Sequence, residues 1–318
     1  MSNIKRGDDS IVAAELAGST VSREGGGSMV PPEGGHLLLI GEFAPERVGH
    51  HLRNAADALG LQVTCVDTKE AFSGPKWARR LSWHLLGHRP LELGSFGRRI
   101  VDLCRSERPK WLLTTGLAPL DSAVLETVGS LGVSRLNFLT DDPWNPAHRA
   151  RWFMHALRCY DEVFSPRQAN IEDLYELGCP RVNYLPFAYD PLIHFPERAT
   201  DEDDRPPNGH EVLFAGGADK DRIRWVTALQ RGGFEIGLYG GYWDRYRETR
   251  PLARGIIGPE EVRRSVGASK VSVALVRRAN RDGHAMRSYE LPAMAACIVA
   301  EDTSDHRQLF GDEGTAVL

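Results

Sequence analysis

Two carboxylates, Asp282 and Glu290, stand eight positions apart in the segment Asn280-Arg-Asp-Gly-His-Ala-Met-Arg-Ser-Tyr-Glu290. An apolar run, Val271-Ser-Val-Ala-Leu275, precedes the segment and reads as a buried strand; Leu291 to Ala296 follows and reads as helix. A polar loop therefore leads from strand to helix. In an open α/β sheet such loops gather outside the carboxyl ends of the strands, where ligands bind. The first amides of a helix lack intrahelical partners and favour an anion. A carboxylate one or two turns further on can accept from hydroxyl groups. The chemistry expected is recognition of a ligand that carries both a diphosphate and sugar hydroxyls.

Arg277, Arg278, Arg281 and Arg287 crowd the same loop. Each is either a solvated surface charge or a phosphate contact. A charge-assisted hydrogen bond contributes about 1.5–3 kcal/mol, and Arg278 and Arg287 are the phosphate candidates. Phe214-Ala-Gly216-Gly217-Ala-Asp-Lys220-Asp-Arg222 reads as strand, glycine turn and helix. Gly216 and Gly217 either make a tight turn or let backbone approach a phosphate, with Lys220 and Arg222 in reach. The Gly-Lys-Ser/Thr of a P-loop is missing. Earlier in the chain, Thr140-Asp141-Asp142-Pro-Trp144 follows a strand end. One of its acids can act as a base or sugar contact, Asp142 can equally cap a turn, and Trp144 can stack on a sugar or pack. His50, beside His51, either faces the cleft or is solvated.

The chain resembles a known family in five segments taken in order. They are Thr140–Trp144, Tyr184-Leu-Pro-Phe-Ala-Tyr-Asp-Pro191, Phe214-Ala-Gly-Gly217, Asn280-Arg-Asp-Gly-His284 and Met286-Arg-Ser-Tyr-Glu-Leu-Pro292. Together they resemble the CgeB-like (spore-maturation protein) glycosyltransferases, and Asp282-x7-Glu290 resembles the E-x7-E segment of retaining GT-B enzymes. The resemblance implies a GT-B fold and a glycosyltransferase of the group 1 type that takes a nucleotide-sugar donor. Glu290 would bind the ribose, and His284, Ala285 and Met286 would turn amides to the donor phosphates. Asp282, a methylene shorter than the family's glutamate, would sit by the donor sugar. Asp282 and Asp142 are then the catalytic candidates. Gly216, Gly217, Lys220, Arg222, Arg278, His284, Ala285, Met286, Arg287 and Glu290 are the donor-binding ones, and His50, Asp141 and Trp144 stand on the acceptor side. A sugar-nucleotide epimerase and a non-catalytic two-lobed binding protein remain the alternatives.

The elements that must position these residues alternate twice. Strands are expected at 36–41, 62–66, 110–114, 134–139, 162–164 and 181–184, with helices at 47–59, 91–107, 119–131, 147–158 and 167–177. The second alternation places strands at 211–215, 234–239, 270–275 and 297–300, and helices at 221–230, 260–266 and 286–296. The expected layout is a leader at 1–35, an acceptor-side Rossmann-like domain at 36–186 and a proline-rich acidic linker at 187–210. A nucleotide-sugar-binding Rossmann-like domain follows at 211–318 and reads as incomplete at its end. The fold class is α/β, two doubly wound sheets facing a cleft.

Residues 71–90 hold Trp77, Leu81, Trp83, Leu85 and Leu86 among Lys76, Arg79, Arg80, His84 and His88. The first reading is an amphipathic helix packed on the core; the second is an acceptor-side or membrane-surface helix.

Composition bounds the function. The 318 residues are 42% hydrophobic and 26% charged, as in ordinary globular chains. A net charge of −4 gives no basic field for nucleic acid. No apolar run is long enough to span a bilayer, and the start lacks a signal-peptide core. Five scattered cysteines read as reduced cytoplasmic thiols. No His, Cys, Asp or Glu cluster has ligand spacing, so neither metal nor cofactor is expected. The partners expected are the donor and a glycan, protein or small-molecule acceptor.

Overall fold

The computed structural model describes residues 34–197 and 209–311. The expected leader up to residue 33, the middle of the linker and the supposedly incomplete end from 312 lie outside the described residues. From Gly34 on, the described chain belongs to one compact unit.

The first sheet contains β1 (His36–Gly41), β2 (Gln62–Asp67), β3 (Trp111–Thr115), β4 (Ser134–Phe138), β5 (Glu162–Ser165) and β6 (Val182–Tyr184). All pair in parallel, in the order β2-β1-β3-β4-β5-β6. The crossovers are α1 (Val48–Ala58), then α2 (Lys76–Leu85) with α3 (Leu93–Glu107), α4 (Ser122–Ser130), α5 (Arg151–Leu157) and α6 (Ile171–Leu177). Because helices cover both faces, β1 is apolar on both. Leu38 and Ile40 join a core with Phe96, Ile100, Leu125 and Phe153, and Leu37 and Leu39 pack with Ala56 of α1.

The second sheet contains β7 (Val212–Ala215), β8 (Ile236–Tyr239), β9 (Val271–Ala274) and β10 (Ile298–Ala300), parallel in the order β10-β9-β7-β8. Its helices are α7 (Lys220–Arg231), α8 (Pro259–Ala268), α9 (Arg287–Ala293) and α10 (Ser304–Phe310). Each sheet reverses its direction of growth beside its first strand, between β1 and β3 and between β7 and β9. The loops part at such a reversal and leave a crevice.

Three departures from the expected elements have physical causes. Helix α9 ends at Ala293, shorter than expected, because Ala295 turns left-handed (φ +58°) and the Ala296 amide closes the end on Leu291 O at 3.1 Å. Helix α5 starts at Arg151 rather than near 147. Upstream, Asp142 accepts from the Trp144 amide and Asn145 from the Ala147 amide, and such side-chain turns compete with helix. Residues 187–197 are bound to both lobes. Asp190 accepts from Asn54 at 2.8 Å, and Arg263 donates to Ile193 O at 2.9 Å and pairs with Glu197.

Helix α2 overturns the expectation that its apolar stripe packs on the core. Trp77, Leu81 and Leu85 are 71%, 53% and 71% exposed. Its inward face is Ala78, Ser82 and Trp83.

Candidate active-site cleft

A cleft of about 500 Å³ lies at the carboxyl ends of the strands of the first sheet. Glu42, Glu46 and Arg47 reach it from the loop after β1. Thr115 and Gly116 come from the end of β3, and Thr140 and Asp141 from the loop after β4. Arg277 and Met286, from the loops between β9 and α9, close it on the other side. The cleft therefore opens at the first reversal and meets the second lobe at the loop after β9.

On the second-lobe side, the Gly216–Gly217 turn is drawn tight against the next strand. Gly240 (φ +122°) lies so near that a Cβ there would stand 2.1 Å from the Gly216 carbonyl oxygen. The start of α7, expected to hold an anion, already has one. Asp219 accepts from the amides of Asp221 and Arg222 as an N-cap. Lys220 is exposed. Arg222 is buried, donates to Gly217 O (3.1 Å) and Leu275 O (2.8 Å), and so ties the glycine turn to the end of β9. Burial lowers the Arg222 pKa to about 10, and the nearby charge of Arg277 lowers it too. Arg277 is half-buried and lies 3.7 Å from Asp219. Arg222 lies 3.5 Å from the same carboxylate, so two guanidinium groups stand beside one acid and leave net positive charge that attracts an anion.

The carboxylates singled out by spacing are all enclosed and paired. Asp282 is held by Arg167, with side chains 7% and 3% exposed. Burial raises the Asp282 pKa, and the Arg167 charge opposes it. Asp142 takes a bidentate contact from Arg281 (2.6 and 3.1 Å) and accepts from Asn170. Glu290 pairs with Arg287 and lies 3.6 Å from His194. Ion pairs are the ordinary solution for charge withdrawn from water. Asn280 donates to Asp141 at 3.0 Å and Asn145 donates to Asn280 at 2.7 Å. With the Arg167 and Arg281 pairs, they lace the 280–282 loop to the first lobe.

The other candidates divide between cleft and scaffold. Met286 and Asp141 line the cleft. Arg287 donates to Ala215 O at 3.0 Å, beside the glycine turn. The Ala285 amide donates to Ser288 Oγ. His284 is buried, contacts Asp305 at 3.0 Å through Nδ1, and packs edge-on against Phe187 and Tyr289. Arg278, itself exposed, pairs with Glu301, whose side chain is enclosed. Trp144 packs on the first core under the Arg281 guanidinium, 5.5 Å away. His50 contacts Arg53, and the cleft wall at α1 is Val48 and Gly49. Sequence reasoning missed Arg277, Glu42 and Arg167 as site or supporting residues. Arg277 was visible only as one of four loop arginines. Among the described residues, no three His, Cys, Asp or Glu side chains are placed to hold a metal ion.

Two buried histidines beside the site set a pH dependence. His194 and His306 both have pKa values lowered from 6.5, burial being the largest cause. A lowered histidine stays neutral when folded and takes a proton on unfolding. Stability is therefore full above the ordinary value and lost as pH falls below it. Urea midpoints should drop between pH 7.5 and 5.5, with a limiting slope of about 1.4 kcal/mol per pH unit for each histidine. His194→Asn should flatten the slope; an unchanged slope would mean that His194 protonates within the fold.

Comparison with known proteins bears on the fold. The family described as glycosyl transferase-like matches residues 222–318. No curated protein matches. Sucrose-phosphate synthase from Thermosynechococcus elongatus has a similar structure, with a TM-score of 0.62 at 13% identity, over 89% of this chain and 85% of that one. A trehalose-6-phosphate synthase gives 0.55 at 11% identity, over 86% and 85%. Anabaena HepE, solved in complex with UDP-glucose, gives 0.53 at 11% identity, over 88% and 83%. At these identities the likeness establishes the fold. It is GT-B, two parallel-sheet α/β domains, and residues 222–318 are similar to the glycosyl transferase-like family.

Proposed function

We propose that the protein is a CgeB-like glycosyltransferase that moves a sugar from a nucleotide-sugar to an acceptor held by the first lobe. The observation that carries this reading is the cleft between the first reversal and the loop after β9, with Arg277 on one wall and Glu42 and Asp141 on the other. The donor diphosphate would lie on Arg277 beside Gly217. A Cβ at Gly217 would stand 3.4 Å from the Arg277 guanidinium, so glycine leaves the approach open. Fixed positive charge at the leaving phosphate stabilises the charge that develops there, and the cleft holds sugar and acceptor hydroxyl in line. Asp141 faces the acceptor. Asp142 and Asp282, each bound to arginine, act as positioning residues that hold the 280–282 loop. Ribose contact by Glu290 requires its pairing with Arg287 to open.

Arginine charge makes a divalent cation unnecessary in this scheme. Thermal melts with UDP-, GDP-, ADP- and dTDP-sugars test the reading. A donor at 100 times its Kd should add about 2.7 kcal/mol of stability. No shift with any of the four would remove the proposed site. Isothermal titration with the responding donor should give the same affinity in EDTA, and a tenfold loss would overturn the metal-free scheme.

A further inference from the structure

We propose that α2 seats the protein on the surface of a bilayer containing anionic phospholipid. Trp77, Leu81 and Leu85 follow one another at intervals of four, so they form a single stripe along the helix. All three face solvent, and Leu86 continues the patch. An ordinary surface helix buries such a stripe. Here the inward face is instead fixed by other contacts. Ser82 donates to Arg89 O at 2.8 Å, and Trp83 stacks on His88 at 4.6 Å. His88 is anchored in turn by its ring to Arg149 O and by its carbonyl to Trp152. The helix is mounted with its apolar side outward.

The charge around the stripe selects the occupant. Between Glu70 and Glu92 the chain carries Lys76, Arg79, Arg80 and Arg89 and no acid, although its net charge is −4. These four cations line a groove of about 340 Å³ against the rings of Phe72 and Trp83. Cations beside an exposed Trp/Leu stripe match an interfacial helix, whose apolar side enters the acyl boundary while its basic side meets phosphate headgroups. A neutral protein groove would leave these cations unmatched, and a nucleic acid would leave the stripe wet. Among the described residues no helix is long and apolar enough to cross a membrane, so the contact is with the surface. Phe72 and Trp83 line both this groove and the 500 Å³ cleft. Docking would therefore bring the cleft beside the headgroups, whatever reaction it serves.

The test is co-sedimentation of the full-length chain with phosphatidylcholine vesicles, with and without one part in three phosphatidylglycerol. Binding to the anionic vesicles is expected, and a large loss on neutral ones or in high salt. Each unit of charge removed should weaken partitioning about fivefold, so Arg80→Glu, which changes two, should cost roughly 25-fold. Trp77→Ser with Leu81→Ser should cost at least about tenfold, since two apolar groups leave the interface. All these side chains are exposed, and melting temperatures should match the parent. Three outcomes would overturn the proposal. One is no sedimentation of the parent with anionic vesicles. Another is binding indifferent to the Trp77/Leu81 change, which is adsorption by charge alone. The third is concentration-dependent self-association abolished by that same change, which would mean that a second copy covers the stripe.

Discussion

Arg167→Leu is expected to cost about 3–5 kcal/mol of stability, the range for removing one partner of a buried ion pair. Both side chains of the Arg167–Asp282 pair are almost wholly enclosed. The guanidinium also donates to Leu139 O (3.3 Å) and Thr140 O (2.8 Å), so its loss leaves two carbonyls and a carboxylate without their donor. At about 2–4 °C per kcal/mol, the melting temperature should fall by about 6–20 °C. The pH dependence identifies the cause. Burial already raises the Asp282 pKa above 3.8, and Arg167 opposes that rise. Without Arg167 the folded pKa climbs further. A raised carboxyl contributes stability that is present below its unfolded value and lost as pH rises through its folded value. The deficit of the variant should therefore be greatest near neutrality and shrink toward pH 4. Asp282→Asn, added to Arg167→Leu, should recover part of the loss at neutral pH and remove the pH dependence of the deficit. Chemical denaturation at three pH values decides it. A deficit below about 1 kcal/mol that does not vary with pH would mean that the pair is open in solution and the 280–282 loop is not held by the first lobe.

The same pair shows what the sequence could and could not reveal. The strands were legible because a sheet covered on both faces demands continuous apolar runs, and His36–Gly41 and Val271–Ala274 stand where such runs occur. Helix bounds were less so. A left-handed turn at Ala295 after α9 and side-chain turns at Asp142 and Asn145 move the ends by a few residues, through local hydrogen bonds that periodicity does not encode. Helix α10 was not foreseen, although Thr303, whose side chain accepts from the His306 amide, is an ordinary N-cap signal. In the candidate site, spacing drew attention to the 277–290 loop, which lines the cleft through Arg277 and Met286, but did not report the exposure of its side chains. Asp282 and Glu290 read as ligand contacts because a sequence shows charge and not its partner. Arg167 lies 115 positions before Asp282, a separation that no local pattern reports. Arg277 and Arg278 are adjacent and chemically equal on paper. Only the direction of the chain as it leaves β9 turns the first into the cleft and the second toward Glu301. Helix α2 reads as amphipathic either way, and which face it buries depends on Ser82, Trp83 and His88 finding partners elsewhere in the fold.

The choice between those neighbouring arginines carries the second large effect. Arg277→Ala should weaken nucleotide-sugar binding by about 10- to 150-fold, the equivalent of one charge-assisted hydrogen bond of about 1.5–3 kcal/mol. Folding should hardly change. Arg277 is half-buried, and its contact with Asp219, at 3.7 Å, is too long for a hydrogen bond. Its charge also depresses the pKa of buried Arg222, so removing it relieves a repulsion as well as a weak attraction. The melting temperature without ligand should therefore stay near that of the parent, while the donor-induced shift shrinks. Arg278→Ala is the matched control: it removes a contact with the enclosed Glu301, which does not line the cleft, and should leave donor affinity within about twofold. Arg277→Lys keeps the charge but loses the planar fork, and should fall between parent and alanine variant. Isothermal titration of the four proteins with the responding donor separates the readings. If Arg278→Ala loses more affinity than Arg277→Ala, the diphosphate lies outside the cleft, on the exposed side of the loop. If neither changes it, the donor does not contact the 277–278 turn, and the proposed placement of the leaving group is wrong.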